Sequence, residues 1–146
     1  MVYQYKVERK RAVNLTPQPS DLPLPSLKGG GEEELEFIQG IWPDSIEEVR
    51  VARSLKKYGL EFIYHYPIYG GTGLAGGQEV DFVVMAPWQD PLQVMGEYWH
   101  PGEADPYEAL KLEMIRQYFG REARILWARQ LKSQAETDRK IRELYR

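Results

Sequence analysis

The sequence predicts an α/β fold, a small mixed β-sheet flanked by helices, with an irregular N-terminal arm. Three segments carry apolar residues at the spacing of an amphipathic helix, and four short segments are rich in aromatic and β-branched residues. Along the chain they follow the order helix, three strands, helix, strand, helix. Helices interspersed with a few strands are typical of an α/β sandwich on a single small sheet.

Composition limits the classes of function. The chain has 146 residues, a formal net charge of −3 and no cysteine. Without cysteine there is no disulfide, zinc–thiolate site or cysteine nucleophile, and a reducing compartment fits, so we expect a cytoplasmic protein. No apolar run reaches the roughly 18 residues that span a membrane. Because the net charge is negative, contact with nucleic acid would depend on local basic patches.

The first part of the chain reads as an arm. Residues 16–31 contain four prolines and then three consecutive glycines. Proline fixes φ and removes a hydrogen-bond donor, which favours an extended segment on a surface. We therefore divide the chain into an arm or linker, residues 1–42, and an α/β domain, residues 43–146. The arm is a candidate for binding a protein partner or for self-association.

Three helices are predicted. The first has apolar residues at spacings of three and four: Ile46, Val49, Ala52 and Leu55. Asp44 or Ser45 is its expected N-cap, and Gly59 ends it after two lysines. Helical spacing also covers residues 106–119, which a glycine terminates, and residues 132–145, which carry a thin apolar stripe.

Four strands are predicted, at residues 61–68, 80–85, 92–97 and 123–127. A proline-containing turn joins the second strand to the third, so these two form a hairpin. If Met85 faces Leu92 across that turn, Asp81 lies near Gly96. The ends of the two strands then meet.

This hairpin gathers groups that suit a metal site. Asp81 enters the second strand, Glu97 is the last residue of the third strand, and His100 follows it. Mg²⁺ prefers carboxylate and carbonyl oxygens, which Asp81 and a main-chain carbonyl of the third strand would supply. His100 would act as a general acid or base. The alternatives are an aspartate at a turn or strand edge, and a core Trp99–His100 pair with a hydrogen-bonded imidazole.

The first helix adds a further carboxylate. Glu48 borders the apolar face of the helix and would point towards the sheet, whereas Glu47 lies on a more exposed side. Favourable charge in the first turn of a helix is the alternative explanation for both. His65, which lies between two tyrosines in the first strand, is predicted to be structural.

Residues 45–131 resemble the very-short-patch-repair endonucleases of the PD-(D/E)XK restriction-endonuclease-like superfamily. The resemblance rests on Val-Asp-Phe-Val-Val at residues 80–84 and Gly-Glu-Tyr-Trp-His at residues 96–100. Ser-Ile-Glu-Glu at residues 45–48 and Tyr-Gly-Leu-Glu-Phe at residues 58–62 extend it. It implies a restriction-endonuclease-like core and an endonuclease that uses Mg²⁺ or Mn²⁺ to cut DNA, with a role in DNA repair.

The same resemblance implies roles for individual residues. Asp81 would be a metal ligand, His100 a catalytic or phosphate-contacting imidazole, and Glu48 (or Glu47) the helical carboxylate. A main-chain carbonyl near Val94 would be a further metal ligand.

The chain also departs from the family pattern. Met95 stands where the repair enzymes have a second histidine, Gln93 where many relatives have a glutamate, and Trp99 where the superfamily has a lysine. Two hypotheses follow. In the first, Glu97 has taken the ligand role and the protein is a Mg²⁺-dependent endonuclease. In the second, the nuclease fold is catalytically weakened and serves as a module that binds nucleic acid or protein.

Overall fold

The computed structural model describes residues 33–85, 87–96 and 106–145. Within these residues the elements follow the predicted order, so the predicted α/β fold with a mixed sheet is confirmed. The elements are α1 (Ile46–Lys57), β1 (Phe62–Ile68), β2 (Gln78–Val84), β3 (Asp90–Met95), α2 (Pro106–Phe119), β4 (Arg124–Trp127), a 3₁₀ turn (Ala128–Gln130) and α3 (Gln134–Leu144). None of the helices in these ranges combines the length and hydropathy needed to span a bilayer.

The sheet has the spatial order β1-β2-β3-β4. β1 and β3 both run antiparallel to β2, whereas β4 runs parallel to β3. A parallel neighbour requires a crossover connection, and α2 lies within that connection. Side chains of α1 and α3 pack in one apolar cluster with the sheet, and Ile115 of α2 packs in a second. The helices therefore cover both faces of the sheet.

The start of α1 follows the sequence signal. Ser45 is the N-cap; its backbone is extended, and its hydroxyl accepts a hydrogen bond from the Glu48 amide at 3.3 Å. Aspartate and serine are both common N-cap residues, and of Asp44 and Ser45 it is Ser45 that makes this bond. Asp44, one residue earlier, is left exposed beside the helix terminus.

The predicted pairing of the β2–β3 hairpin is wrong by three residues. Phe82 faces Leu92, so Leu92 does not face Met85. Asp81 consequently lies beside Gln93, whose side-chain oxygen accepts a hydrogen bond from the Asp81 amide at 2.7 Å.

The reason for the different register lies at the start of β3. Asp90 pairs with Val84 and is 4% exposed, so the strand begins earlier than its apolar residues suggest. Two arginines compensate the buried carboxylate, Arg121 at 3.0 Å and Arg124 at 2.6 Å. Arg121 lies between α2 and β4, and Arg124 is the first residue of β4, so the local pattern of the hairpin does not reveal either partner.

A glutamine side chain completes the outer edge of β1. The Gln39 amide donates to the Phe62 carbonyl at 2.7 Å, and its oxygen accepts from the Tyr64 amide at 2.8 Å. Neighbouring Ile38 and Ile41 are 1% exposed and pack with α1 in the core. Gln39 therefore occupies the place of a further strand and fixes β1 immediately before His65.

Replacing Gln39 with alanine should lower the free energy of unfolding by about 1–2 kcal/mol, because two hydrogen bonds to the strand are lost. Urea denaturation would measure this change. Gln117→Ala, at an exposed position of α2, is the matched control and should have little effect. Equal stability of the two variants would show that Gln39 does not support the edge of β1.

Candidate metal centre

Three carboxylates surround one imidazole on β1. The His65 Nε2 atom lies 3.6 Å from Oδ2 of Asp44 and 3.9 Å from Oε1 of Glu48. On the other side of the ring, Nδ1 lies 3.4 Å from Oε1 of Glu79. Asp44, Glu48 and His65 each offer one potential ligand atom, and these three atoms lie within 4.8 Å of one another. The segment before α1, the helix itself and two neighbouring strands thus contribute to one cluster.

The backbone of His65 explains how a strand can deliver its side chain here. Its φ is 54°, in the left-handed region, which costs a non-glycine residue about 1–3 kcal/mol. Tyr64, before His65, packs with side chains of α1, whereas Ile68, after it, packs with Ile115 of α2. The regular alternation of side chains along a strand would put Tyr64 and Ile68 on the same face. The distortion therefore changes the face of the strand at His65 and leaves the imidazole beside α1.

The Glu48 carboxylate is held in a buried setting. Glu48 is 6% exposed and accepts a hydrogen bond from the Tyr64 hydroxyl. Burial, together with the Glu48 charge, raises the pKa of Tyr64, so the phenol stays protonated and donates. The Tyr64 ring also stacks on His65, with ring centroids 4.0 Å apart. Tyr64 thereby positions both the imidazole and the carboxylate.

The distances in the cluster suit a bound cation better than direct hydrogen bonds. Separations of 3.6 and 3.9 Å exceed the usual hydrogen-bond range. Two ligand atoms that each lie about 2.1 Å from a metal ion are separated by roughly 3–4 Å. The Asp44 side chain is 57% exposed, so it has room to adjust and leaves a route for a cation from solvent. Among the described residues, His65 Nδ1 has no hydrogen-bond partner of normal geometry.

Asp81 lies next to this cluster. The β1–β2 pairing of Tyr64 with Phe82 and of Tyr66 with Val80 puts Asp81 opposite His65. Its Oδ2 accepts a hydrogen bond from the Val94 amide at 2.9 Å. Burial raises the pKa of Asp81, while Lys111 on α2, the Val94 amide and His65 act in the opposite direction. A buried carboxylate with a raised pKa beside a cluster of charged groups is a candidate member of a functional site.

The structure brings together some of the residues selected from the sequence. Glu48 on α1 lies 3.9 Å from the His65 imidazole, and Asp81 lies opposite His65 in the pairing of β1 with β2. Glu47 turns away to an ion pair with Arg50 at 3.7 Å, so Glu48 is the carboxylate that faces the sheet. Val94 contributes its amide to Asp81; whether its region also offers a carbonyl ligand stays a prediction.

Two of the selected residues, Glu97 and His100, lie outside the described residues. Their roles as metal ligand and as acid or base stay predictions. Gln93 and Met95 are buried in β3, and the Gln93 side chain accepts a hydrogen bond from the Asp81 backbone amide.

Sequence reasoning missed three members of the cluster. From the sequence, His65 is predicted to have a structural role, Asp44 is a candidate only for the helix N-cap, and Glu79 has no predicted role. The available signal was the composition of the first strand, where an imidazole interrupts an apolar segment that pairs with the strand of Asp81. Comparisons with protein-family models, curated proteins and solved structures found no match for this chain, and the resemblance to repair endonucleases stays a prediction.

Proposed function

We propose that this protein is a divalent-cation-dependent endonuclease that hydrolyses phosphodiester bonds in DNA. The observation that carries the proposal is the convergence of Asp44, Glu48 and His65 within 4.8 Å, with Asp81 on the adjoining strand. A bound cation would polarise a phosphoryl oxygen and lower the pKa of a coordinated water, which is the chemistry of metal-dependent phosphodiester hydrolysis.

The ligand set also supports a choice of cation. Carboxylates suit Mg²⁺ and Mn²⁺, whereas an imidazole favours the transition metals. Asp44 and Glu48 supply oxygen, and His65 supplies nitrogen. We therefore expect Mn²⁺ to bind more tightly than Mg²⁺. Asp81 would hold a second position near the cation or orient the attacking water.

One observation favours a second candidate function, a catalytically weakened nuclease fold that binds nucleic acid or protein. The Asp81 carboxylate accepts the Val94 amide, and Gln93 is committed to the Asp81 backbone. In such a protein these polar groups would stabilise the sheet and take no part in catalysis.

Incubation of the purified protein with supercoiled plasmid and Mn²⁺, Mg²⁺ or EDTA tests the two functions. The endonuclease should nick or linearise the plasmid with either cation, and it should be inactive in EDTA. Asp81→Ala should lose this activity. Glu61→Gln removes an exposed carboxylate next to β1 and should retain it. Equal absence of cleavage in the wild type and Asp81→Ala would support the binding module.

A further inference from the structure

A recess of about 460 Å³ lies where the β2–β3 turn meets the end of α2. The residues that line it, here called the Trp88 recess, are Trp88, Gln89, Tyr118, Phe119, Gly120 and Arg121. A second cavity of about 470 Å³ shares Trp88 and Arg121 and continues towards Arg124 and Tyr145. The indole and the guanidinium therefore form a wall with space on both sides.

Aromatic rings are exposed around this recess. The Trp88 side chain is 62% exposed and Tyr118 is 43% exposed. Tyr118 makes an edge contact with Tyr69, itself 46% exposed, at a centroid distance of 5.3 Å. Single exposed aromatic residues are common on protein surfaces, but a group of them next to a recess marks a binding surface.

The recess also carries positive charge. The Arg121 guanidinium lies 5.9 Å from the centroid of the Trp88 ring. Arg121 and Arg124 share one carboxylate, that of Asp90, so this group of three side chains has a formal charge of plus one. Because the whole chain has a net charge of −3, its overall charge does not attract a phosphate. The attraction would come from this local patch.

We infer that the Trp88 recess holds an unpaired nucleobase of a single-stranded DNA segment. This inference rests on the proposed function, because it specifies the substrate of the same protein. An exposed indole offers a π-face on which any base stacks, and a neighbouring guanidinium adds cation–π attraction and a phosphate contact. The Gln89 amide adds a donor and an acceptor at the rim for the edge of the base. An apolar partner would leave these charged and amide groups without solvent or hydrogen bonds.

Strand β2 leads from Asp81 to the turn that carries the Trp88 recess. Asp81 and Val84 lie three positions apart on β2, and the turn that carries Trp88 follows directly. Three residues of a strand span about 10 Å. A single DNA strand that is anchored at Trp88 is thus long enough to place one of its phosphates near the carboxylate cluster.

Binding of a fluorescently labelled oligothymidylate, followed by anisotropy in EDTA, tests the inference without any metal chemistry. Trp88→Ala should weaken binding about 10-fold, the effect of losing one stacked base. Trp88→Phe should restore most of the affinity, since it keeps an aromatic face. Arg121→Gln should weaken binding and reduce the slope of log affinity against log salt by about 0.7, the value for one phosphate contact.

Tyr107→Ala is the matched control, because Tyr107 is 84% exposed on α2 and does not line the recess. It should bind as the wild type does. Equal affinities of Trp88→Ala and Tyr107→Ala would overturn the inference. So would a change of oligomeric state in Trp88→Ala with unaltered DNA affinity, which would identify the surface as a contact with a second copy of the chain.

Cleavage assays separate this inference from the proposed function. If the protein binds DNA in a Trp88-dependent way but never cleaves it, the endonuclease proposal is wrong and the inference that the Trp88 recess binds a nucleobase stands. Cation-dependent cleavage of single-stranded DNA with the same kcat/KM in the wild type and Trp88→Ala would do the reverse.

Discussion

Replacing Glu48 with glutamine should lower cation-dependent cleavage of DNA by at least about 100-fold, since a ligand that is lost from a catalytic metal removes several kcal/mol of transition-state stabilisation. The folded protein should be at least as stable as the wild type. Glutamine has the shape of glutamate and still accepts the hydrogen bond from Tyr64, while the cost of burying a negative charge near the Asp44 carboxylate disappears.

Thermal unfolding with and without Mn²⁺ measures the metal ligand separately from catalysis. A cation that binds only the folded wild type adds about 2.7 kcal/mol of stability at a concentration of 100 times its Kd. Glu48→Gln should lose most of this increment. Glu47→Gln is the matched control, because it removes the neighbouring carboxylate, which pairs with Arg50 outside the cluster. Loss of cleavage and of Mn²⁺ stabilisation in Glu47→Gln alone would reverse the assignment.

The elements of the fold were predictable because their signals are local. Helix α1 has an apolar stripe at intervals of three and four residues and a serine N-cap. Both features can be recognised within about a dozen consecutive residues. Glu48 was selected for the same reason: its position relative to that stripe decides which way it points.

The cluster around His65 was less predictable because it depends on pairing between distant segments. Strand register put Asp81 opposite His65 and beside Gln93, and a buried ion pair of Asp90 with two distant arginines set where β3 begins. The left-handed backbone of His65 could not be predicted from its residue type, because only a few per cent of non-glycine residues adopt this conformation, although histidine is among the enriched types. The cluster is therefore a product of tertiary structure.

The strain at His65 and the charge around it have a common explanation in the proposed site. A strained residue persists only where the surrounding structure holds it in place. Here the Gln39 side chain is hydrogen-bonded to the backbone of Tyr64, the residue before His65, and the Tyr64 ring stacks on the imidazole. Three carboxylates near one buried imidazole repel one another without a cation. A divalent ion at Nε2 would relieve that repulsion, so the geometry favours a preorganised site whose stability increases on metal binding.

Glu79→Gln tests the other side of the imidazole and should lower the affinity for Mn²⁺ by about 10- to 100-fold. If Nε2 of His65 binds the cation, the proton of the neutral ring is on Nδ1, which faces the Glu79 carboxylate at 3.4 Å. On cation binding, a hydrogen bond from Nδ1 to that carboxylate would fix the tautomer and make Nε2 a stronger ligand, and an amide would provide the first effect only in part. Titration calorimetry with Mn²⁺ measures the change, with Glu61→Gln as the exposed control. An affinity that is equal in Glu79→Gln and the wild type, but lower in Glu48→Gln, would show that Glu79 does not act on cation binding through His65 and would leave Glu48 as a ligand.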